Sequence, residues 1–241
     1  MRSRLLTIGT HRINYGWVIV SVLFLAAGLN IGTGSYAIGL FLEPLETTFG
    51  WSRSAISASL SFAAVGSLTS PLLGRIMDTH GARPILVTSL LVMTLGFLLR
   101  PTMTELWHWY VLSFLQFVCF AGASTLPAGR LIAMWFPKTR GRMMGIAVMG
   151  NNFGGATIPI MTWLVILNGS WEAAYIVYSA VAGLIALLAL SLVHENPVLF
   201  NTKHEICSSD IEAPETIPTS WTVHEALRTP SFYAITVSIT L

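Results

Sequence analysis

The densest chemistry in this chain lies in the eleven residues Gly74-Arg75-Ile76-Met77-Asp78-Thr79-His80-Gly81-Ala82-Arg83-Pro84. One carboxylate, Asp78, stands among Arg75, His80 and Arg83, with Gly74 and Gly81 on either side. The apolar runs flanking the segment carry no charge. Such residues make ion pairs and hydrogen bonds. A carboxylate here can also complement the positive end of a helix dipole. Gly74 permits close helix approach, and Gly81 suits a tight turn.

The remaining candidates are polar groups set singly into apolar sequence. Asn30, Thr33 and Tyr36 fall within about a third of a helix circumference, at about 100° per residue. Gln116, Cys119, Ala123, Pro127 and Arg130 share one helical face. Asn151 and Asn152 lie within Gly150-Asn151-Asn152-Phe153-Gly154-Gly155, with Pro159 following. Polar groups in a span tend to face a cavity or another helix. Amides and a phenol can donate to a carboxylate, and Asn30 can equally join two helices. Arg130 can attract an anion, or snorkel from a span end. Gly150, Gly154 and Thr157 form a small-residue face suited to close helix packing, with Gly155 alongside.

The glycine-rich sextet is no phosphate loop, because no strand precedes it and no Gly-Lys-Ser/Thr follows. His80, His108, His194, His204 and His224 show no metal-ligand spacing. The serines lack a nucleophile-elbow context. The sequence therefore points to no enzyme, cofactor or metal.

The elements that position these groups follow from composition. Of 241 residues, 54% are hydrophobic and 10% are charged, with a mean hydropathy of +0.68. Soluble domains carry about 25% charged residues, so the partner of this surface is a lipid bilayer. A net charge of +2, balanced locally, excludes a nucleic-acid role. Cys119 and Cys207 make no disulfide framework.

A helix needs about 20 apolar residues to cross a bilayer. The sequence predicts spans at residues 17–42, 54–73, 84–99, 106–129, 143–168 and 173–193, with a seventh beginning at 231 and cut off at 241. The third is short unless it extends past Arg100. Arg2, Arg4 and Arg12 precede a run too long for a signal peptide, and no cleavage site follows. These arginines, Arg75 and Arg83, and Lys138, Arg140 and Arg142 all fall on one side. That side, with the N-terminus, is expected to be cytoplasmic. Trp51, Trp107, Trp109, Trp135 and Trp171 lie near span ends, where an interfacial belt would put them. Residues 194–230 hold six of the eleven acids and read as a solvated cytoplasmic linker. Thr222-x-x-Glu225 could open a short helix there.

The pattern Gly-x3-Asp-x2-Gly-x-Arg at residues 74–84 resembles the loop between the second and third helices of major facilitator transporters. Asn14-Tyr15-Gly16-Trp17, Gly39-Leu40-Phe41-Leu42-Glu43-Pro44-Leu45, Phe49-Gly50-Trp51-Ser52-Arg53 and Trp135-Phe136-Pro137-Lys138-Thr139-Arg140-Gly141 extend the likeness. Together they resemble the monocarboxylate porter and oxalate/formate antiporter branch of that superfamily.

The resemblance implies an all-α membrane protein with two six-helix halves, each a pair of inverted three-helix repeats, and substrate held between them near the midplane. This chain would be the N-terminal half, a linker and the start of a seventh helix. It reads as a fragment whose partner is a missing C-terminal six-helix half. The implied function is secondary active transport of small organic anions by alternating access, in the plasma (inner) membrane. The alternative is a truncated, non-transporting membrane protein or subunit.

In the family, Gly74, Asp78, Gly81 and Arg83 would serve gating across the two halves. Asn30, Thr33, Tyr36, Gln116, Arg130, Asn151 and Asn152 become candidates for the substrate cavity. Four departures stand out. The family often has a second basic residue where this chain has Arg83-Pro84. Tyr36 stands where some monocarboxylate porters carry lysine. Gln116 aligns with an arginine of many proton-coupled members. Asn151 replaces the proline of the antiporter pattern Gly-Pro-x-x-Gly-Gly. The second and third of these weigh against proton coupling.

Overall fold

The computed structural model describes residues 5–8, 11–123 and 125–194. The linker beyond His194, with Cys207 and the Thr222–Glu225 cap, and the start of the seventh helix lie outside the described residues. One feature was not expected. Strands β1 (Leu5–Ile8) and β2 (His11–Asn14) pair antiparallel, with Leu5 opposite Asn14 and Ile8 opposite His11.

From Tyr15 onward the described chain is helical. The helices are α1 (Tyr15–Ile31), α2 (Ile38–Phe49), α3 (Arg53–Ala58), α4 (Phe62–His80) and α5 (Ala82–Leu99). They continue with α6 (Leu106–Phe120), α7 (Thr125–Trp135), α8 (Arg140–Asn168) and α9 (Trp171–Leu192). Helices are what apolar sequence must form in lipid, because each backbone polar group then finds its partner within the segment. By length and composition, five stretches can cross a membrane: Tyr15–Tyr36, Arg53–His80, Ala82–Thr102, Leu106–Trp135 and Trp171–Leu192. Helix α8 has 29 residues, but Asn151, Asn152 and its glycines dilute its apolar character.

The ends of these helices follow from local chemistry. Gly50, at φ +71°, closes α2, and Gly81, at φ +94°, reverses the chain between α4 and α5. Both values lie in a region that only glycine enters freely. The Ser52 hydroxyl accepts from the Ala55 N–H at 3.2 Å to start α3. His108 Nδ1 accepts from the Glu105 N–H at 3.2 Å, reciprocating the Glu105 cap on α6.

Two interruptions matter for the site. The first is a π turn at Gly32–Tyr36, closed by the Ala37 N–H donating to the Gly32 oxygen at 2.9 Å. The second is the turn between α6 and α7. Pro127 has no N–H to give, and in a continuous helix its ring would clash with the carbonyl four residues back, at Ala123. The face proposed for Gln116, Cys119, Ala123, Pro127 and Arg130 is therefore broken between Cys119 and Pro127.

The most extensive helix contacts join α1 to α8 and α5 to α9. Leu23, Ala26, Leu86, Leu90, Phe97, Trp109 and Tyr178 lie in the core. Trp109 corrects the interfacial belt. It is fully buried, and its indole N–H donates to the Ile56 oxygen at 3.3 Å. Its neighbour Trp107 is 59% exposed. Two residues apart on a helix, they point about 200° away from each other.

Candidate functional site

At one end of the bundle, the carboxylate of Asp78 closes α4. Arg130 Nη1, from α7, donates to Asp78 Oδ1 at 3.2 Å and to the Met77 oxygen at 2.6 Å. On sequence alone Arg83, five residues on, was as available to Asp78. Instead, Arg83 Nη2 donates to the Leu190 oxygen near the end of α9, at 2.6 Å. The residue proposed to attract substrate, Arg130, thus sits beside the turn. Its side chain is 19% exposed, whereas that of Asp78 is 72% exposed. Gly74 has open space around it, so no close helix approach explains it here.

A seam of glycines joins α1 to α8. A Cβ on Gly150 would overlap the backbone of Phe24, and one on Gly154 would overlap the backbone of Gly28. A Cβ on Gly28 would stand 2.8 Å from the Gly150 oxygen, and one on Gly32 2.8 Å from the Gly154 oxygen. Two Gly-x-x-x-Gly pairs, Gly28/Gly32 and Gly150/Gly154, therefore interlock at backbone contact. Gly155 stands under the Tyr36 ring instead.

The first-helix candidates do not share one environment. Asn30 is fully buried, and its Nδ2 donates to the Phe120 oxygen at 2.7 Å, tying α1 to α6. The Thr33 hydroxyl donates back to the Leu29 oxygen at 2.8 Å. Tyr36 is 57% exposed, because the π turn upsets the 100° spacing that placed it with the other two. It borders a cleft of about 360 Å³ with Gly39, Leu40, Pro159, Ile160 and Trp163. Asn152 is exposed, while Asn151 keeps a buried Oδ1 without a partner among the described residues.

A second cleft, of about 280 Å³, lies between the π turn, α4 and α6. Ser35, Ser67, Ser70, Gly66 and Phe120 line it. Sequence reasoning missed these serines, which are too common in apolar helices to signal anything alone.

It also missed Arg100. The third apolar run continues past Leu99 into a 3-10 turn, Arg100–Thr102. This carries the guanidinium inward, where the residue is 4% exposed. Arg100 Nη1 donates to the Tyr175 hydroxyl at 3.1 Å. Nη2 donates to Ser113 Oγ at 3.2 Å and to Gln116 Oε1 at 2.9 Å. Its charge lies 4.3 Å from the Trp109 ring centre and 4.9 Å from that of Tyr175. Among the described residues no carboxylate pairs with it; the ion pairs are Arg53–Glu46 and Arg130–Asp78. The available signal was the length of residues 84–99, too short to cross a bilayer without Arg100. Beyond this cluster, the Tyr178 hydroxyl pairs with that of Thr162, linking α9 to α8.

Comparison with known proteins agrees with this architecture. A family model for the Major Facilitator Superfamily matches residues 23–241. An uncharacterized transporter of Saccharomyces cerevisiae is 30% identical over 61% of this chain and 22% of its own length. A probable chloroplastic anion transporter of Arabidopsis thaliana is 25% identical over 80% of this chain and 36% of its own. Monocarboxylate transporter 13 of Rattus norvegicus is 26% identical over 70% of this chain and 39% of its own. The chain thus matches well under half the length of each of these relatives. With its apolar helices and that family match, this multi-pass membrane protein belongs to the Major Facilitator Superfamily.

Proposed function

We propose that the protein is a secondary active transporter of small organic anions, monocarboxylate- or oxalate-like, working by alternating access. The described bundle would supply one wall of the cavity, and a second six-helix half the other. The observation that carries the reading is the charge of the interior. Among the described residues, the buried ionised side chain is Arg100, a cation with no acid beside it. An unneutralised cation within the bundle favours an anionic cargo nearby and repels a cationic one. The names of the Arabidopsis and rat relatives, a probable anion transporter and a monocarboxylate transporter, support the same class.

Asn30, Thr33 and Gln116 would stand on the inner wall, with Tyr36, Asn151 and Asn152 nearer its rim. Gly74, Asp78, Gly81 and Arg83 would form the gate. In this reading Arg130 holds Asp78 rather than substrate, and Arg83 fixes the start of α5 to the end of α9. The N-terminus and the turn at residues 74–84 would face the cytoplasm. The test is uptake of labelled oxalate, formate and lactate into proteoliposomes holding the complete gene product. Saturable flux of at least one is expected; absence of flux with all three would sink the reading.

A further inference from the structure

We infer that Arg100 is a positioning residue for anion recognition: it orients the Gln116 carboxamide so that its NH2 group is presented to a carboxylate of the cargo. The inference rests on the organic-anion reading above and names how that site would recognise its ligand. A guanidinium has donors only, so the amide atom facing it has to be the oxygen. Gln116 Oε1 accepts from Arg100 Nη2 at 2.9 Å, and this fixes Nε2 on the other side of the carboxamide.

Arg100 is in turn held firmly. Ser113 and Tyr175 accept from it, and the Trp109 and Tyr175 rings lie against its charge. Trp109, Ser113 and Gln116 follow one another at spacings of four and three along α6, so one helical face presents all three. A planar fork held by three acceptors and two rings loses little further freedom when a ligand arrives.

The other end of the amide lies beside the π turn. Gln116 makes no second hydrogen bond among the described residues. Its Nε2 lies 3.6 Å from where a Cβ would stand on Gly34, in the π turn. Gln116 is 8% exposed, and its Nε2 is not among the buried side-chain atoms lacking partners, which are Asn30 Oδ1 and Asn151 Oδ1. Two N–H donors beside a glycine, backed by an unneutralised cation, match an acceptor-rich anion of carboxylate size. A cation meets repulsion there.

The experiment measures concentration-dependent uptake of labelled oxalate, formate and lactate by the reconstituted gene product and three variants. A hydrogen bond to a charged group typically carries a tenfold or larger effect, so Arg100→Gln should raise KM about tenfold while Vmax changes less than about twofold. Arg100→Lys keeps the charge but loses the planar fork, so its KM should fall between those of wild type and Arg100→Gln. Gln116→Glu gives Arg100 a carboxylate partner and removes the NH2, so it should abolish saturable uptake while the protein stays monodisperse. An unchanged KM in Arg100→Gln or Gln116→Glu overturns the inference. So does Arg100→Lys being as impaired as Arg100→Gln, which would mark a packing role. If Arg100→Gln fails to accumulate, Gln116→Glu decides. Absence of uptake by the wild type instead removes the organic-anion reading itself, and this inference with it.

Discussion

Arg130 holds Asp78 from within the same bundle: its Nη1 lies 3.2 Å from Asp78 Oδ1 and 2.6 Å from the Met77 oxygen. One cation thereby fixes both the last turn of α4 and the carboxylate that leaves it. The Asp78 side chain remains 72% exposed, so it can meet a second partner without breaking the first.

Asp78→Asn should barely change stability. Exposed ion pairs contribute about 0–1 kcal/mol, and Arg130 would keep the Met77 oxygen. Transport should change severalfold if the carboxylate gates. Thermal unfolding in detergent and anion flux, measured on the same preparation, separate the two effects. Wild-type flux would reduce Asp78 to an anchor.

Gly154→Leu should be far more damaging than its apolar chemistry suggests. Even one Cβ at Gly154 overlaps the backbone of Gly28. Overpacking costs typically about 1–3 kcal/mol and more where backbone must move. Gly145→Ala lies on the same helix in open space. It should be neutral, or stabilise by about 0.5–1 kcal/mol through reduced chain entropy. Melting temperatures of the two variants give the comparison; equal shifts would remove the seam as an explanation.

Asn30→Asp should destabilise more than Asn30→Ala. The native amide donates to the Phe120 oxygen at 2.7 Å from a fully buried position. Alanine loses that bond, for about 1–3 kcal/mol. An aspartate would have to bury a charge against a carbonyl, or take up a proton first. Unfolding as a function of pH distinguishes the cases: the aspartate variant should gain stability as pH falls and its carboxyl protonates. No pH dependence would count against the buried placement.

The orientation can be read by labelling single cysteines in a variant carrying Cys119→Ala and Cys207→Ser. Thr104→Cys, in the turn before α6, should react with an impermeant maleimide on intact cells. Thr79→Cys, at the end of α4, should react only after permeabilisation. The reverse pattern would invert the assigned topology.

The apolar runs announce helices because they leave lipid-facing backbone no other solution. Asp78 had to lie at a helix end, since a charge was confined to the short break between two uncharged runs. Its partner was not legible: Arg83 is five residues away in sequence and Arg130 is 52 away, and only packing chooses between them. The π turn escaped as well, because Gly32-Thr33-Gly34-Ser35-Tyr36 is compatible with an ordinary helix. Arg100 was hidden for another reason. Its neighbours come from α6 and α9, and no local pattern announces a cation lodged between two rings and two hydroxyls.

The glycine seam between α1 and α8 has a mechanical consequence. In the inverted-repeat arrangement, α1 lies in the first three-helix unit and α8 in the second. Where backbone meets backbone there are no long side chains to slide or repack, so shear between the units meets hard contacts at once. A bundle clamped in this way behaves as a lever rather than a spring. The Asp78 end and the Arg100 end, separated by the length of α5 (about 27 Å at 1.5 Å per residue), then move as opposite tips of one stiff body. Prying at the first tip tilts the second by the same angle.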